Sequence, residues 1–131
     1  MASKLLMSVP AFAFHAIILS WINKIEKKCE CSTDWRRDFM KYFSVVSVLF
    51  LVGSMFVRPT FLPPAVMSLG MAWFLAALVN IGAILSYIPA LRKKQCDCAL
   101  EGDWRDDAIF WYMIASIVLS FLLTFIMLAR K

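Results

Sequence analysis

The residues of this chain best suited to chemistry are four cysteines in two Cys-x-Cys pairs, Cys29/Cys31 and Cys96/Cys98. Four thiolates on one face can fill the tetrahedral shell of a zinc ion, although structural zinc pairs usually keep roughly two to four residues between ligands. Two disulfides are a second arrangement, opposed by a reducing cytosol. Free thiols, or thiols acylated beside the lysines that precede each pair, are a third. The sequence leaves all three open, so the cofactor is undetermined, with zinc one candidate. Thiol redox catalysis is disfavoured. No Cys-x-x-Cys occurs and no histidine lies near the cysteines to activate a thiolate.

Each pair is followed by the same triplet, Asp34-Trp35-Arg36 and Asp103-Trp104-Arg105. An Asp before a helix accepts the unpaired amides of its first turn and favours the positive end of the dipole. Trp one residue later suits headgroup depth. Arg next in line reaches phosphates or the neighbouring acids Asp38, Asp106 and Asp107. Cap, interfacial anchor and ion pair therefore explain the triplet without catalysis. The same residue types also make a docking face of Trp35, Arg36, Arg37, Trp104 and Arg105, since Trp and Arg dominate interface hot spots.

The repetition extends upstream. Ile18-Leu19-Ser20-Trp21-Ile22 recurs as Ile84-Leu85-Ser86-Tyr87-Ile88, and Lys27-Lys28 as Lys93-Lys94. The offset lengthens from Ile18/Ile84 to Cys29/Cys96 and again to Asp34/Asp103. A duplication with one residue added before the second Cys-x-Cys and two after it accounts for the drift.

The segments that position these loops are apolar. Hydrophobic residues make up 62% of the chain and the mean hydropathy is +0.74, above the roughly 45–50% apolar usage of soluble domains. Stretches 5–23, 42–57, 59–91 and 108–129 carry no charge, against the ~20 residues a spanning helix needs. The expectation is an all-α membrane protein with four transmembrane helices, Leu5–Ile25, Phe39–Val57, Ala65–Leu91 and Ala108–Ala129. Two parallel helix–loop–helix repeats (1–57 and 65–131) flank a proline-rich turn at 58–64. The first apolar block exceeds the roughly 7–15 residues of a signal-peptide core, so a cleaved leader is not expected.

Ten of the fourteen Lys and Arg, and all nine acids, fall on the loop side of such a bundle. Counting cations in short loops puts the Cys-x-Cys loops in the cytosol and the termini opposite. The net charge of +5 then reports topology, and no nucleic-acid partner is expected because acids interleave with the bases. Two-span repeats enter the bilayer from one side, so a pseudo-twofold axis along the membrane normal would set the two loops side by side. A bundle of this kind also allows a homo-oligomer.

Within the spans the one titratable group is His15, whose counterpart is Ile81, so no symmetric relay exists. A packing histidine bonded to a nearby Ser or Asn is expected, with Ser68, Asn80 and Ser86 as interhelical hydrogen-bonders. The lack of an intramembrane acid argues against a proton-coupled carrier.

The stretch from Cys29 to Phe43 resembles the Cys-x-Cys…Trp-Arg pattern of small membrane proteins in large nucleocytoplasmic DNA viruses of algae and protists, with a looser echo at 96–107. The resemblance implies a component of the internal virion membrane that docks a capsid or scaffold protein and performs no chemistry. The alternative from another class is a small channel or transporter on the pseudo-twofold axis.

Overall fold

The computed structural model describes residues 2–56 and 64–130. The proline-rich turn lies outside them apart from Pro64, which opens a helix, a position that suits its missing amide proton.

Long uncharged runs rich in Leu, Ile, Ala and Met form helices, and these continue past the apolar blocks into their charged ends. Helix α1 covers Ala2–Lys28, α2 Trp35–Phe56, α3 Pro64–Lys93 and α5 Arg105–Ala129. A 3-10 turn, Glu30–Ser32, and a four-residue helix α4, Asp97–Leu100, carry the second cysteine of each pair, with Cys29 and Cys96 just before them. No strand occurs among the described residues. Three segments, Ser8–Lys28, Ser68–Lys93 and α5, are long and apolar enough to cross a membrane. Helix α2 is 22 residues long and keeps Arg36, Arg37, Asp38 and Lys41 in its first two turns, so its apolar run is the shortest of the four.

The long helices form a ring in which α1 and α3 each touch both α2 and α5. Ile18, Trp21, Ile22 and Ile25 from α1 meet Ile84, Tyr87, Ile88 and Leu91 from α3 in one buried core. Met40 of α2 and Ile109 of α5 close it from the flanks. Every one of these residues has a buried counterpart at the sequence offset: Ile18 with Ile84, Trp21 with Tyr87, Ile22 with Ile88, Ile25 with Leu91, Met40 with Ile109.

Among the described residues the core lies at the loop end. Past Phe14, Ser47, Asn80 and Met113 the helices bury nothing further among the described residues, and Phe74, Leu119, Phe121, Phe125 and Leu128 stand exposed. Such continuous apolar surface belongs in lipid or against another apolar surface.

Candidate functional site

The loop end is built by α1 and α3 delivering one Cys-x-Cys each. In the first copy α1 runs to Lys28, and the Cys29 amide still donates to Ile25 O at 3.0 Å. In the second copy the added residue is Gln95, which takes a left-handed conformation with φ of 53°. The Cys96 amide then reaches back to Leu91 O at 3.2 Å and the Gln95 amide to Arg92 O at 3.1 Å. This pair of bonds is a Schellman closure. The extra residue is absorbed as a helix stop, and Cys96 leaves α3 buried as Cys29 leaves α1. The two later additions are absorbed by α4 and by Gly102, whose φ of +68° suits a residue without Cβ.

The result is that all four cysteines meet. Cys29 pairs with Cys98 and Cys31 with Cys96 as disulfides, with Cα–Cα separations of 5.8 and 6.0 Å. Each bond joins the first cysteine of one copy to the second of the other, or the reverse. Exchanging the copies (Cys29 for Cys96, Cys31 for Cys98) turns one bond into the other. Each joins a buried residue to an exposed one, and Cys31 Sγ lies 3.6 Å from Cys98 Sγ.

A second exchange lies beneath the cysteines. Trp21 Nε1 donates to Ala99 O at 3.2 Å, while Tyr87 Oη donates to Ser32 O at 2.5 Å. Ala99 and Ser32 each follow the second cysteine of their pair, so each copy's central aromatic satisfies a buried carbonyl in the other copy's loop. The two rings meet edge-on with centroids 6.3 Å apart.

The triplets fold alike. Asp34 Oδ1 accepts the Arg36 amide at 3.0 Å, and its carboxylate receives Arg36 Nε and Nη2 at 3.0 and 2.6 Å. Asp103 receives the Arg105 amide at 3.1 Å, with Nε and Nη2 at 2.8 and 2.7 Å. Each Asp is thus one half of a bidentate fork. Asp34 directly precedes α2 and caps it. Trp104, however, holds the cap position of α5, and Asp103, expected there, sits one residue earlier and still accepts the first helical amide. The arginines pair inside their own triplet, a correction to the expectation that they reach Asp38, Asp106 and Asp107. Those acids are taken by others: Arg37 bonds Asp38, and Arg92 bonds Asp106 and Asp107. Arg36 holds the Asp34 carboxyl down to about 2, against the opposing effect of burial. Asp103 is pushed lower still by Arg105, again against burial, with Lys24 adding a bond at 2.7 Å.

With both arginines folded back, the indoles between them point outward. Trp35 is 66% exposed and Trp104 64%, a near-equality that follows from the common fork. Of the sequence-derived docking set, the two tryptophans offer free surface, while Arg36, Arg37 and Arg105 are engaged. Lys27, Lys28, Lys93 and Lys94 lie on the same loop end, all exposed. The copies differ in their struts. Lys24 to Asp103 and Arg105 to Ser20 Oγ tie the second loop to α1, whereas Arg36 lies 5.6 Å over the Tyr87 ring.

Trp21, Tyr87, Gln95 and Gly102 take structural roles that lie outside the Cys-x-Cys and Asp-Trp-Arg motifs. Their signal was there in the aromatic matched between the copies and in the places where the offset jumps.

Deeper in the bundle, His15 Nδ1 sits 3.2 Å from Ser44 Oγ, the packing role expected of it. A cavity of about 420 Å³ opens beside it, walled by Phe43, Trp73 and Tyr112. Ser47 Oγ and Asn80 Oδ1 on its wall are buried without a hydrogen-bond partner.

No known protein family, curated protein or solved structure matches the chain.

Proposed function

We propose that the chain is a non-catalytic, four-span membrane protein of two parallel repeats whose joined loops form one docking platform for a protein partner. The observation that carries this reading is the matched outward presentation of Trp35 and Trp104 from rigid Asp–Arg forks. Equal, preorganised indoles flanking a cross-linked centre suit recognition, because ordering costs at the interface are met in advance. The repeat is supported by the exchange pattern of cysteines, buried carbonyls and forks, which a pseudo-twofold axis produces and an arbitrary four-helix packing does not. Helix α2 completes the fourth span from Phe39 onward, with Lys41 reaching Glu26 at the interface. The cytosol is the proposed side for the loops. The viral resemblance supplies the setting, an internal virion membrane, and a capsid or scaffold protein as the partner.

Photo-reactive residues at positions 35 and 104, compared with position 121, test the platform against a purely interfacial role for the indoles. Docking gives the same protein adduct from 35 and 104 and lipid adducts from 121. Lipid adducts alone from all three positions would reduce Trp35 and Trp104 to membrane anchors.

A second reading, a small channel or transporter, is favoured by one observation, the cavity wall on which Ser47 Oγ and Asn80 Oδ1 lack a hydrogen-bond partner. Solute flux in liposomes that falls with Asn80→Leu would support it.

A further inference from the structure

The one non-bonded sulfur pair measured across the two disulfides lies at a spacing that suits a different bond. Zinc–sulfur bonds of about 2.3 Å in a tetrahedron place sulfurs about 3.8 Å apart. Cys31 Sγ and Cys98 Sγ, which are not bonded to each other, lie 3.6 Å apart. The sulfurs of Cys31, Cys96 and Cys98 all fall within 4.8 Å of one another, and Cys29 is bonded to one of them. The short Cys-x-Cys spacing counts against zinc only if each pair must chelate alone. Here two loops supply the bite jointly, and the backbone that holds them is set by bonds independent of sulfur: Trp21 to Ala99 O, Tyr87 to Ser32 O, and the Schellman stop at Gln95.

The loop face carries ten of fourteen cations, the bias of a cytosolic surface, and the cytosol keeps thiols reduced. Reduction leaves four thiols in one tight cluster, two of them on buried residues. Thiolates packed so closely repel unless a cation sits among them. Exposed Lys27, Lys28, Lys93 and Lys94 favour the anionic form nearby.

We propose that Cys29, Cys31, Cys96 and Cys98 are a two-state clasp, crossed disulfides when oxidised and a single four-thiolate zinc site when reduced. The chemistry balances. Two protein disulfides and four molecules of a glutathione-class thiol give four protein thiols and two small disulfides; one Zn²⁺ then replaces four protons as four Zn–S bonds form. In reverse, two small disulfides take the four electrons, both protein S–S bonds form, and Zn²⁺ leaves with four small thiolates. The loops stay joined in both states, so platform geometry survives a change of redox compartment. The proposal goes beyond docking and needs only that the cysteines converge.

The test is metal titration of the full-length protein in detergent, reduced anaerobically with a phosphine and desalted. Cobalt(II) should saturate at one per chain with the visible absorption of a tetrahedral thiolate site, and zinc should displace it. With zinc bound, all four thiols should resist alkylation until a chelator is added, and glutathione disulfide should release one zinc per chain. Cys98→Ser, which removes an exposed ligand, should weaken zinc at least tenfold with the helical signal unchanged. No saturable cobalt band, or alkylation of the reduced wild-type protein at the free-thiol rate despite excess zinc, would overturn the proposal. Because the titration involves no partner, failure here leaves the cross-linking result at positions 35 and 104 untouched.

Discussion

The two ends of this helix ring differ in what holds them. At the loop end, α1 and α3 bury a row of Ile, Trp and Tyr side chains against each other, and disulfides, hydrogen bonds and ion pairs tie the loops across the centre. At the other end the ring fully buries nothing more among the described residues and exposes Phe74, Phe121 and Phe125. Apolar side chains gain little by leaving lipid for protein, so packing, hydrogen bonds and cross-links must supply specificity in a membrane. They are concentrated where the two sequence copies face each other. Function should be sought there.

Removing the cross-links is the strongest way to break that contrast. The disulfides close sequence separations of 69 and 65, and a closure of that size contributes about 4 kcal/mol in the chain-entropy picture. Cys29→Ser combined with Cys96→Ser should lower the melting midpoint in detergent under oxidising, metal-free conditions more than any other change described below. Reductant should produce most of the same loss in the wild type.

Truncating an aromatic at each end comes next. Trp21→Ala removes a fully buried ring and a hydrogen bond, a loss of about 3–5 kcal/mol. Phe125 is 72% exposed. Phe125→Ala should therefore change stability by no more than about 0.5 kcal/mol. Equal effects in a melting assay would erase the distinction between the ends.

The forks sharpen it further. Asp103→Asn and Asp34→Asn each keep an oxygen for the helix amide but lose the charge-assisted fork to Arg, a cost of about 1–2 kcal/mol. Asp103 is the costlier because Lys24 also loses its partner. Both carboxyls are depressed in the folded state, so their stabilisation is complete above the ordinary carboxyl range. It fades as pH falls from about 4 toward 2, Asp103 holding out longer. A melting midpoint that stays flat from pH 6 to pH 2.5 would contradict this. The smallest effect belongs to the inserted residues. Gln95→Gly relieves a left-handed non-glycine and should stabilise by about 1 kcal/mol. Gly102→Ala should cost about as much, from backbone strain alone, since its surroundings are open.

Much of this was legible in the sequence. The matched Ile-Leu-Ser runs and cysteine pairs were visible in the sequence, and the capping role of Asp34 followed from its place before an apolar run. Helix ends were less legible, because Lys, Arg and Asp continue a helix as readily as they end a span. The cysteine partners could not be read at all. Spacing leaves bonds within and between the pairs equally open, whereas two loops brought together by Trp21 and Tyr87 form them across. The partners of the arginines were hidden for a similar reason: Asp38, Asp106 and Asp107 are as near in sequence as Asp34 and Asp103. Neighbours one or two apart on a helix do not face each other, whereas the Asp before the helix meets both the amide and the guanidinium of its Arg.

The most direct test of the crossed arrangement is peptide mapping of the oxidised protein without reduction, with Cys29 and Cys31 separated by cleavage after Glu30 and Cys96 and Cys98 by cleavage after Asp97. Two cross-copy links, Cys29–Cys98 and Cys31–Cys96, are the expected result. Links within the pairs, Cys29–Cys31 and Cys96–Cys98, would mean that the two loops do not meet, and the joint platform would fall with them.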